Sequence, residues 1–250
     1  MRSIGFSTGA LALDDFRGAL HMLRGKGTNA VELSALRERE LIPLIDALPT
    51  LDLSGFQDIT LHVPSSMSPG FEAVAARKLQ EVATRGWLIV IHPDVIGQFD
   101  QWSVFGDRLC IENMDKRKPI GQTVDQLQKI FEKLPDASFC MDLGHARQVD
   151  PTMTEAFLIL RQLRNRLKQL HISDVNADSR HGELTLEACM AFKKIAEMIP
   201  ADVPAILESR VPSPDIDREI KLVRLILDAP TSADRRDSRS DLHPRPAFAF

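Results

Sequence analysis

A regular alternation of short apolar runs and stretches of helical periodicity constrains the fold of this chain more than any other feature. The run Trp87–His92 consists mainly of large apolar and β-branched residues, as buried strands do. Phe16, Leu20 and Leu23 instead recur at helical spacing. The alternation repeats every roughly 30 residues over about 230 residues, which matches the size of eight strand-plus-helix units.

The predicted elements alternate along the chain, each strand being followed by a helix. The predicted strands are Ile4–Thr8, Asn29–Ser34, Asp58–Val63, Trp87–His92, Leu109–Asn113, a run beginning at Phe139, Leu167–Ile172 and Pro204–Glu208. The predicted helices are Leu13–Arg24, Glu38–Leu48, Phe71–Arg85, Gln101–Phe105, Val124–Leu134, a helix that follows Pro151 and reaches Arg166, Leu184–Met198 and Ile216–Leu227. A long loop is predicted between Ile172 and Leu184.

This pattern predicts an α/β protein with the (β/α)8 TIM-barrel fold, as a single domain over residues 1–229. A doubly wound open sheet is the main alternative, but such a sheet usually carries a glycine-rich phosphate loop after its first strand. Here Phe6–Gly9 contains one glycine and no GxGxxG motif. Residues 230–250 are rich in Arg, Asp, Ser and Pro without helical or strand periodicity, and we predict a disordered tail there.

Bulk properties restrict the environment and the partners. The formal net charge of −4 disfavours nucleic acid as a partner, although it leaves a local basic patch open. Cys110, Cys140 and Cys189 show no CxxC spacing, which indicates reduced thiols. The chain shows neither a signal-peptide core nor an apolar run of about 20 residues, so we expect a cytoplasmic protein without a membrane partner. A homo-oligomer is compatible with the sequence.

Residues able to bind a metal occur at the ends of the predicted strands. Asp142 and His145 follow the apolar run that begins at Phe139, with Gly144 expected to form a tight turn between them. The other residues in such positions are Glu32, His62, His92, Glu112, His171, His181 and Glu208. In a barrel, all these positions point to one rim, where active sites of this fold are built.

The strand-end residues predict a metal site rather than separate structural polar groups. Burying several carboxylates together costs several kcal/mol for each unpaired ion, and few basic residues lie near these strand ends. A divalent cation would neutralise the carboxylates. Mixed histidine and carboxylate ligands suit Zn²⁺ or Mn²⁺ better than Mg²⁺ or Ca²⁺, so we expect one or two ions of that kind.

The ordered set of strand-end motifs LHVP, VIHPD, CIENMD, CMDLGH, LHISD and ILES resembles the xylose isomerase-like TIM barrels over roughly Ile4 to Asp228. That superfamily contains sugar and sugar-phosphate isomerases and epimerases, together with phosphodiesterases of the endonuclease IV type. The resemblance implies a shared metal site formed by four residues. These are Glu112, Asp142, His171 and Glu208.

The two branches imply different roles for the remaining residues. In the isomerases and epimerases, the equivalents of Glu112 and Glu208 move a proton, and the equivalent of His145 contacts a substrate oxygen. In the endonuclease branch, His62 and His92 match additional ligands that Glu112 bridges. His145 and His181 match part of a third metal site in that branch.

The chain departs from the endonuclease pattern at two points. The third metal site of that branch also uses an aspartate where this chain has Ser179, and its tyrosine is missing because the chain contains no Tyr. These departures argue against a three-metal centre. A two-metal site therefore fits the sequence best.

Four basic residues are candidates for binding an anionic group of the substrate by charge-assisted hydrogen bonds: Lys116, Arg147, Arg180 and Arg210. Lys116 belongs to the basic run 116–118, which is equally consistent with a solvated loop. Trp102 and Phe105 either line the pocket or pack in the core, and core packing is the expected role.

The leading functional hypothesis is a metal-dependent isomerase or epimerase of a small sugar, sugar phosphate or similar polyol, with Glu112 and Glu208 as acid and base and His145 orienting the substrate. The first alternative is a metal-dependent phosphodiesterase of the endonuclease IV kind. The second is a metal-binding barrel that acts as a partner protein, because a fold does not dictate a function.

Overall fold

Eight parallel strands close into a barrel in the computed structural model, which describes residues 1–228. The strands are β1 Ile4–Ser7, β2 Ala30–Ser34, β3 Asp58–His62, β4 Leu88–Ile91, β5 Leu109–Glu112, β6 Ser138–Asp142, β7 Leu167–Ile172 and β10 Ala205–Leu207. They pair in the order β1-β10-β7-β6-β5-β4-β3-β2. The two-residue strands β8 Asp174–Val175 and β9 His181–Gly182 form a separate antiparallel hairpin. The predicted (β/α)8 fold is confirmed. The predicted tail at 230–250 lies outside the described residues.

Helices connect the strands and surround the barrel. They are α1 Thr8–Leu11, α2 Phe16–Leu23, α3 Glu38–Ala47, α4 Glu72–Ala83, α5 Phe99–Ser103, α6 Val124–Lys133, α7 Leu143–Val149, α8 Thr154–Leu163, α9 Leu186–Lys193 and α10 Ile216–Leu227. Short 3-10 segments occur at Leu48–Thr50, Pro93–Val95, Gly106–Arg108, Arg164–Arg166, Ala196–Met198 and Ser213–Asp215. Within 1–228, no helix is long and apolar enough to cross a membrane.

The structure differs from the predicted elements in several segments, two of which carry residues of the site. The predicted long loop after Ile172 contains the β8–β9 hairpin, and the predicted helix Leu184–Met198 is shortened to α9 followed by a 3-10 turn. Helix α7, which begins directly after β6, was not predicted, because its seven residues are too few to show helical periodicity. Both segments matter for function, since α7 carries His145 and β9 carries His181.

The main hydrophobic core lies between the barrel and its helices. Phe6, Leu33 and Ile111 from the strands share this core with Leu79 and Leu127 from the helices. Because side chains alternate across a strand, the intervening residues face the barrel interior. Val90, Cys110 and Cys140 form a second, separate apolar cluster there, and both cysteines are free thiols.

Trp102 contributes to the outer core and does not line the barrel mouth. Its side chain is fully buried, and its indole Nε1 donates a hydrogen bond to Glu72 Oε1 at 2.7 Å. Phe105 is also buried, with its ring centroid 5.9 Å from that of Trp102. The expected packing role of these two aromatic residues therefore agrees with their positions.

Candidate metal centre

The structure brings the strand-end histidines and acids that the sequence predicts as metal ligands to the carboxyl end of the barrel, except Glu32, which lies in the middle of β2. His62, Glu112 and Asp142 are the last residues of β3, β5 and β6. The register pairs Asp142 with His171 across β6 and β7, which places these two side chains next to each other. The remaining candidates follow barrel strands or lie in the connections after them; they are His92, His145, His181 and Glu208.

Three groups of side chains within 1–228 offer ligand atoms that all lie within 4.8 Å of one another. The groups are His62, His92 and Glu112; Asp142, His145 and His181; and Glu112, Asp142, His171 and Glu208. Glu112 belongs to the first and third groups, and Asp142 belongs to the second and third. The third group therefore connects the other two into one continuous centre.

The first group is held together by the carboxylate of Glu112. His62 Nε2 lies 3.0 Å and His92 Nε2 lies 3.4 Å from Glu112 Oε2. His62 Nδ1 hydrogen bonds the carbonyl oxygen of Val63 at 2.7 Å, so Nδ1–H is the donor and Nε2 keeps a free lone pair. A histidine arranged in this way is ready to bind a metal through Nε2.

The third group lies at the centre of the barrel mouth. His171 Nδ1 is 3.3 Å from Glu112 Oε1 and 3.7 Å from Glu208 Oε2. His171 and Asp142 are fully buried, whereas the side chain of Glu208 is 14% exposed. Glu208 is thus the most exposed member of this group, and it lines the cavity together with Glu112.

The second group combines the start of α7 with the β8–β9 hairpin. Asp142 caps the helix by accepting the backbone N–H of His145 at 2.6 Å. His145 Nδ1 lies 3.5 Å from Asp142 Oδ2, and the rings of His145 and His181 meet edge to face at 5.1 Å. His181 Nδ1 is 2.9 Å from Ser173 Oγ and 3.3 Å from Glu208 Oε2.

Gly144 allows this group to form, but not through the tight turn expected from the sequence. It lies in α7, where a Cβ atom would come within 2.6 Å of both the carbonyl oxygen of Ser173 and Val175 Cγ2. The glycine therefore permits close packing of the helix against the chain that leads from β7 into the hairpin.

Asn113 and Glu32 support the centre without belonging to any of the three groups. The sequence did not single out Asn113, and it placed Glu32 among the candidate metal ligands at strand ends. Asn113 Oδ1 accepts the backbone N–H of Asp142 at 2.7 Å, while its Nδ2 donates to the Asp142 carbonyl oxygen at 2.9 Å. This pair of bonds joins the end of β5 to the end of β6. Its place directly after Glu112 is the sequence signal for Asn113. Glu32 is not at a strand end as predicted but in the middle of β2, where its contacts are buried.

Close contacts among the candidate ligands raise the pKa values of some of these side chains and lower those of others. Burial, together with Glu112 and Asp142, raises the pKa of Glu208 to about 8 although His171 acts against this. Burial opposes the charged form of His145, but Asp142 and Glu112 outweigh it and raise the pKa to about 10. The histidines also hold the pKa of Glu112 well below its ordinary value despite burial.

The donor atoms fit a divalent metal. Asp142 Oδ2, His171 Nδ1 and His92 Nδ1 are buried and have no hydrogen-bond partner among the described residues. The first two belong to the third group, whose neutral imidazole and carboxylate ligands suit a divalent ion of the zinc or manganese type. An ion there would satisfy these atoms and neutralise the converging carboxylates.

A cavity of about 190 Å³ opens above the centre, and few of the side chains that line it are basic. Of the four predicted substrate-binding residues, only Arg210 lines it. Lys116 and Arg180 are exposed outside its wall, and Arg147 is engaged by Asp174 at 2.5 Å. The structure therefore does not bring Lys116, Arg147 or Arg180 to the cavity, because strand order alone does not determine the direction of loop side chains.

The residues after Lys116 reach the cavity instead. Arg117 and Lys118 both line it. Arg117 is anchored by Asp115, with Nε 3.3 Å from Oδ1, and Lys118 Nζ lies 2.8 Å from Asp94 Oδ2. The cationic side of the cavity consequently consists of Arg117, Lys118 and Arg210.

Ser179 occupies the position where the resemblance implies an aspartate, but its hydroxyl is hydrogen bonded outside the second group. Its hydroxyl donates to Asp115 Oδ1 at 2.7 Å and lies 2.8 Å from Gln148 Nε2. The backbone of Ser179 has a positive φ of 54°, which belongs to the turn of the hairpin. The second group therefore offers three protein ligands, which leaves room for a water molecule or a substrate atom.

The fold and the site define a (β/α)8 barrel that brings three groups of side chains able to bind metal ions to its carboxyl end, as expected from the resemblance to the xylose isomerase-like TIM barrels. No protein-family model and no curated protein matches the chain in sequence. The three solved structures described below match it over nearly their whole length. At the identities involved, these matches confirm the resemblance at the level of the fold.

Three solved structures represent the similarity. A xylose isomerase domain protein from Alicyclobacillus acidocaldarius is 13% identical, covers 90% of this chain and 98% of its own, and gives a TM-score of 0.61. A protein from Anabaena variabilis, provisionally assigned as a sugar phosphate isomerase/epimerase, is 15% identical with coverages of 97% and 98% and a TM-score of 0.54. SacUVDE is 13% identical with coverages of 90% and 99% and the same TM-score of 0.54.

Proposed function

We propose that this protein is a metal-dependent phosphodiesterase that hydrolyses a small phosphodiester at a centre of two or more divalent ions of the zinc or manganese type. The observation that carries this proposal is the position of His145. Its ring belongs to a metal-capable group with Asp142 and His181, instead of facing the cavity only as a substrate contact. This reverses the order of the two hypotheses drawn from the sequence.

The shared carboxylates also support a polynuclear centre. Glu112 connects the first and third groups, and Asp142 connects the second and third. A proton-transfer enzyme with one ion needs only the third group, so the extra ligands His62 and His92 would have no role in it. Divalent ions bound in neighbouring groups lower the pKa of water and stabilise negative charge on a transferring phosphoryl group.

The protein's own residues would bind and orient the substrate. Arg117, Lys118 and Arg210 form the cationic side of the cavity, where guanidinium and ammonium groups hold phosphate oxygens by charge-assisted hydrogen bonds. Glu208 lies at the edge of the third group with its side chain 14% exposed, so it can contact the substrate as well as offer a ligand atom. The cavity volume of about 190 Å³ fits a small substrate.

A sugar isomerase or epimerase is the second candidate, and one observation favours it. Glu112 and Glu208 belong to the same four-residue group, and their pKa values are shifted apart, downwards for Glu112 and to about 8 for Glu208. Two carboxyls with different proton affinities on one centre can serve as base and acid for proton transfer next to a carbonyl.

One pair of assays separates the candidates. The protein loaded with zinc or manganese is incubated with bis(p-nitrophenyl) phosphate, and separately with a panel of ketoses and ketose phosphates in deuterated water. We expect p-nitrophenol release and no deuterium in the sugars by NMR. Deuterium incorporation without phosphodiester cleavage would instead establish proton transfer and overturn the proposal.

Metal content of a His145→Asn variant provides a second test. If His145 is a ligand, the number of ions bound per chain falls below that of the unchanged protein. A His21→Asn variant is the matched control, because His21 is exposed on α2, outside the three metal-capable groups. Unchanged metal content in His145→Asn, with only weaker substrate binding, would argue for the isomerase instead.

A further inference from the structure

Glu32 is a fully buried acid beneath the metal centre. It lies on β2, shows no exposed surface, and belongs to none of the three groups that offer ligand atoms. A carboxylate in such a place is costly unless hydrogen bonds or charges compensate it. Its partners therefore indicate what it does.

Two donors converge on one oxygen of Glu32. His171 Nε2 lies 2.9 Å from Glu32 Oε2, and Gln169 Nε2 donates to the same oxygen at 2.7 Å. Because both nitrogens approach the same acceptor, they lie only 2.9 Å apart. Thr60 Oγ1 adds a longer contact to this oxygen at 3.4 Å.

The opposite nitrogen of the His171 ring points into the centre. His171 Nδ1 has no hydrogen-bond partner among the described residues and lies 3.3 Å from Glu112 Oε1. With Nε2–H donating to a carboxylate, the neutral ring carries its lone pair on Nδ1. Metal-binding histidines commonly show this arrangement, in which a carboxylate fixes the ring and raises its basicity.

We propose that Glu32 is the positioning residue for His171: it fixes the ring orientation and the Nε2–H proton so that Nδ1 becomes the metal ligand. This inference rests on the metal centre of the proposed function and not on the reaction catalysed there. Glu32 touches neither the cavity wall nor a ligand atom of another group, so its effect passes through His171.

Glu32→Gln tests this role, with Glu219→Gln as the matched control. Glutamine retains the shape of the side chain but removes the charge that holds the His171 proton. Glu219 is also fully buried, and it accepts the backbone N–H of Leu184 at 3.0 Å from its place on α10. Both variants remove a buried carboxylate, but only Glu32 directly contacts the ring of a candidate ligand.

The first measurement is zinc affinity, determined by competition with a chromophoric chelator. We expect Glu32→Gln to weaken binding by about 10- to 100-fold, the usual cost of losing a hydrogen-bond partner of a metal ligand. We expect Glu219→Gln to bind zinc as the unchanged protein does, even where its melting temperature is lower. Equal zinc affinity in all three proteins would overturn the proposal.

The second measurement reads the histidine directly. In protein labelled with ¹⁵N-histidine, we expect a downfield His171 Nε2–H resonance that exchanges slowly with solvent, and zinc bound through Nδ1. In Glu32→Gln this proton should move upfield and exchange faster, whereas Glu219→Gln should leave it unchanged. An unchanged resonance in Glu32→Gln would show that Glu32 has only a structural role.

The two measurements also separate this inference from the proposed function. Absence of phosphodiesterase activity together with the expected loss of zinc affinity would reject the reaction and retain the role of Glu32. Absence of zinc binding in the unchanged protein would reject both.

Discussion

The carboxylate of Asp142 serves the backbone and the metal centre at the same time, and His145 is the residue that connects the two roles. Asp142 Oδ1 accepts the backbone N–H of His145 at 2.6 Å, which caps α7. Asp142 Oδ2 lies 3.5 Å from His145 Nδ1 and has no hydrogen bond within 1–228. The helix cap therefore orients the second oxygen of Asp142 towards the centre and places the ring of His145 beside it.

Glu112→Gln should reduce both metal content and activity. Glu112 contributes to two of the three groups, and glutamine cannot supply a bridging carboxylate. We expect elemental analysis to find fewer ions per chain and turnover to fall to background. Glu132→Gln, on the exposed face of α6, is the control and should leave both unchanged. A fully active, fully loaded Glu112→Gln protein would refute the assignment of the centre.

Removal of bound metal should lower the melting temperature. Glu112, Asp142 and Glu208 converge at the barrel mouth, and an ion that binds only the folded chain compensates their mutual repulsion. At a free metal concentration of 100 times Kd, binding adds about 2.7 kcal/mol, which corresponds to a shift of roughly 5–10 °C for a chain of this size. Calorimetry before and after chelation measures this shift, and re-addition of zinc should reverse it.

The stability of the metal-free protein should fall as the pH rises from 6.5 to 8. Burial and the neighbouring acids Glu112 and Asp142 raise the pKa of Glu208 to about 8, while Asp142 and Glu112 raise the pKa of His145 to about 10 against the effect of burial. In both cases the folded protein binds the proton more tightly than the unfolded chain does. Their stabilising contribution is therefore complete at low pH and is lost as the pH approaches the raised values.

Thermal unfolding of the metal-free protein across this pH range measures the slope. Glu208→Gln should make the slope shallower, because the substituted side chain no longer titrates. Zinc affinity should increase over the same range, since binding must displace the protons. Melting temperatures that rise from pH 6.5 to 8 would contradict this prediction.

Gly144→Ala should destabilise the fold by about 1–3 kcal/mol, the usual cost of overpacking. The added Cβ would meet the Ser173 carbonyl oxygen and Val175 Cγ2 at 2.6 Å, which forces α7 away from the hairpin. Gly55→Ala is the control, because nothing lies within 4 Å of a Cβ added there. Chemical denaturation compares the two variants. If Gly144→Ala and Gly55→Ala had the same free energy of unfolding, the close packing at α7 would not contribute to stability.

The barrel and the convergence of its strand ends were predictable because both depend on local patterns. Apolar runs such as Trp87–His92 identify strands, and eight strand-plus-helix units of this size close into a barrel. The closed barrel then places His62, Glu112 and Asp142 at one rim however far apart they are in sequence. The bounds of the strand Leu167–Ile172 and of the helix Ile216–Leu227 are the same in the prediction and in the structure.

Details that depend on loops and on single atoms were not predictable. The sequence assigned anion binding to Lys116, Arg147, Arg180 and Arg210, but only Arg210 among them lines the cavity. Helix α7 and the β8–β9 hairpin are too short to show periodicity, although they carry His145 and His181. Loop conformation follows from tertiary contacts such as those of Ser179 with Asp115 and Gln148.

By itself, the sequence determined the fold and the identity of the residues that meet at the barrel mouth, because strand periodicity and parallel order fix which ends share a rim. Only the tertiary structure decided how those residues divide into three groups, which nitrogen of His171 faces the centre, and that Glu32 lies beneath it as a hydrogen-bond partner. Such distinctions depend on side-chain rotation and packing over a few ångströms, which spacing along the chain does not encode.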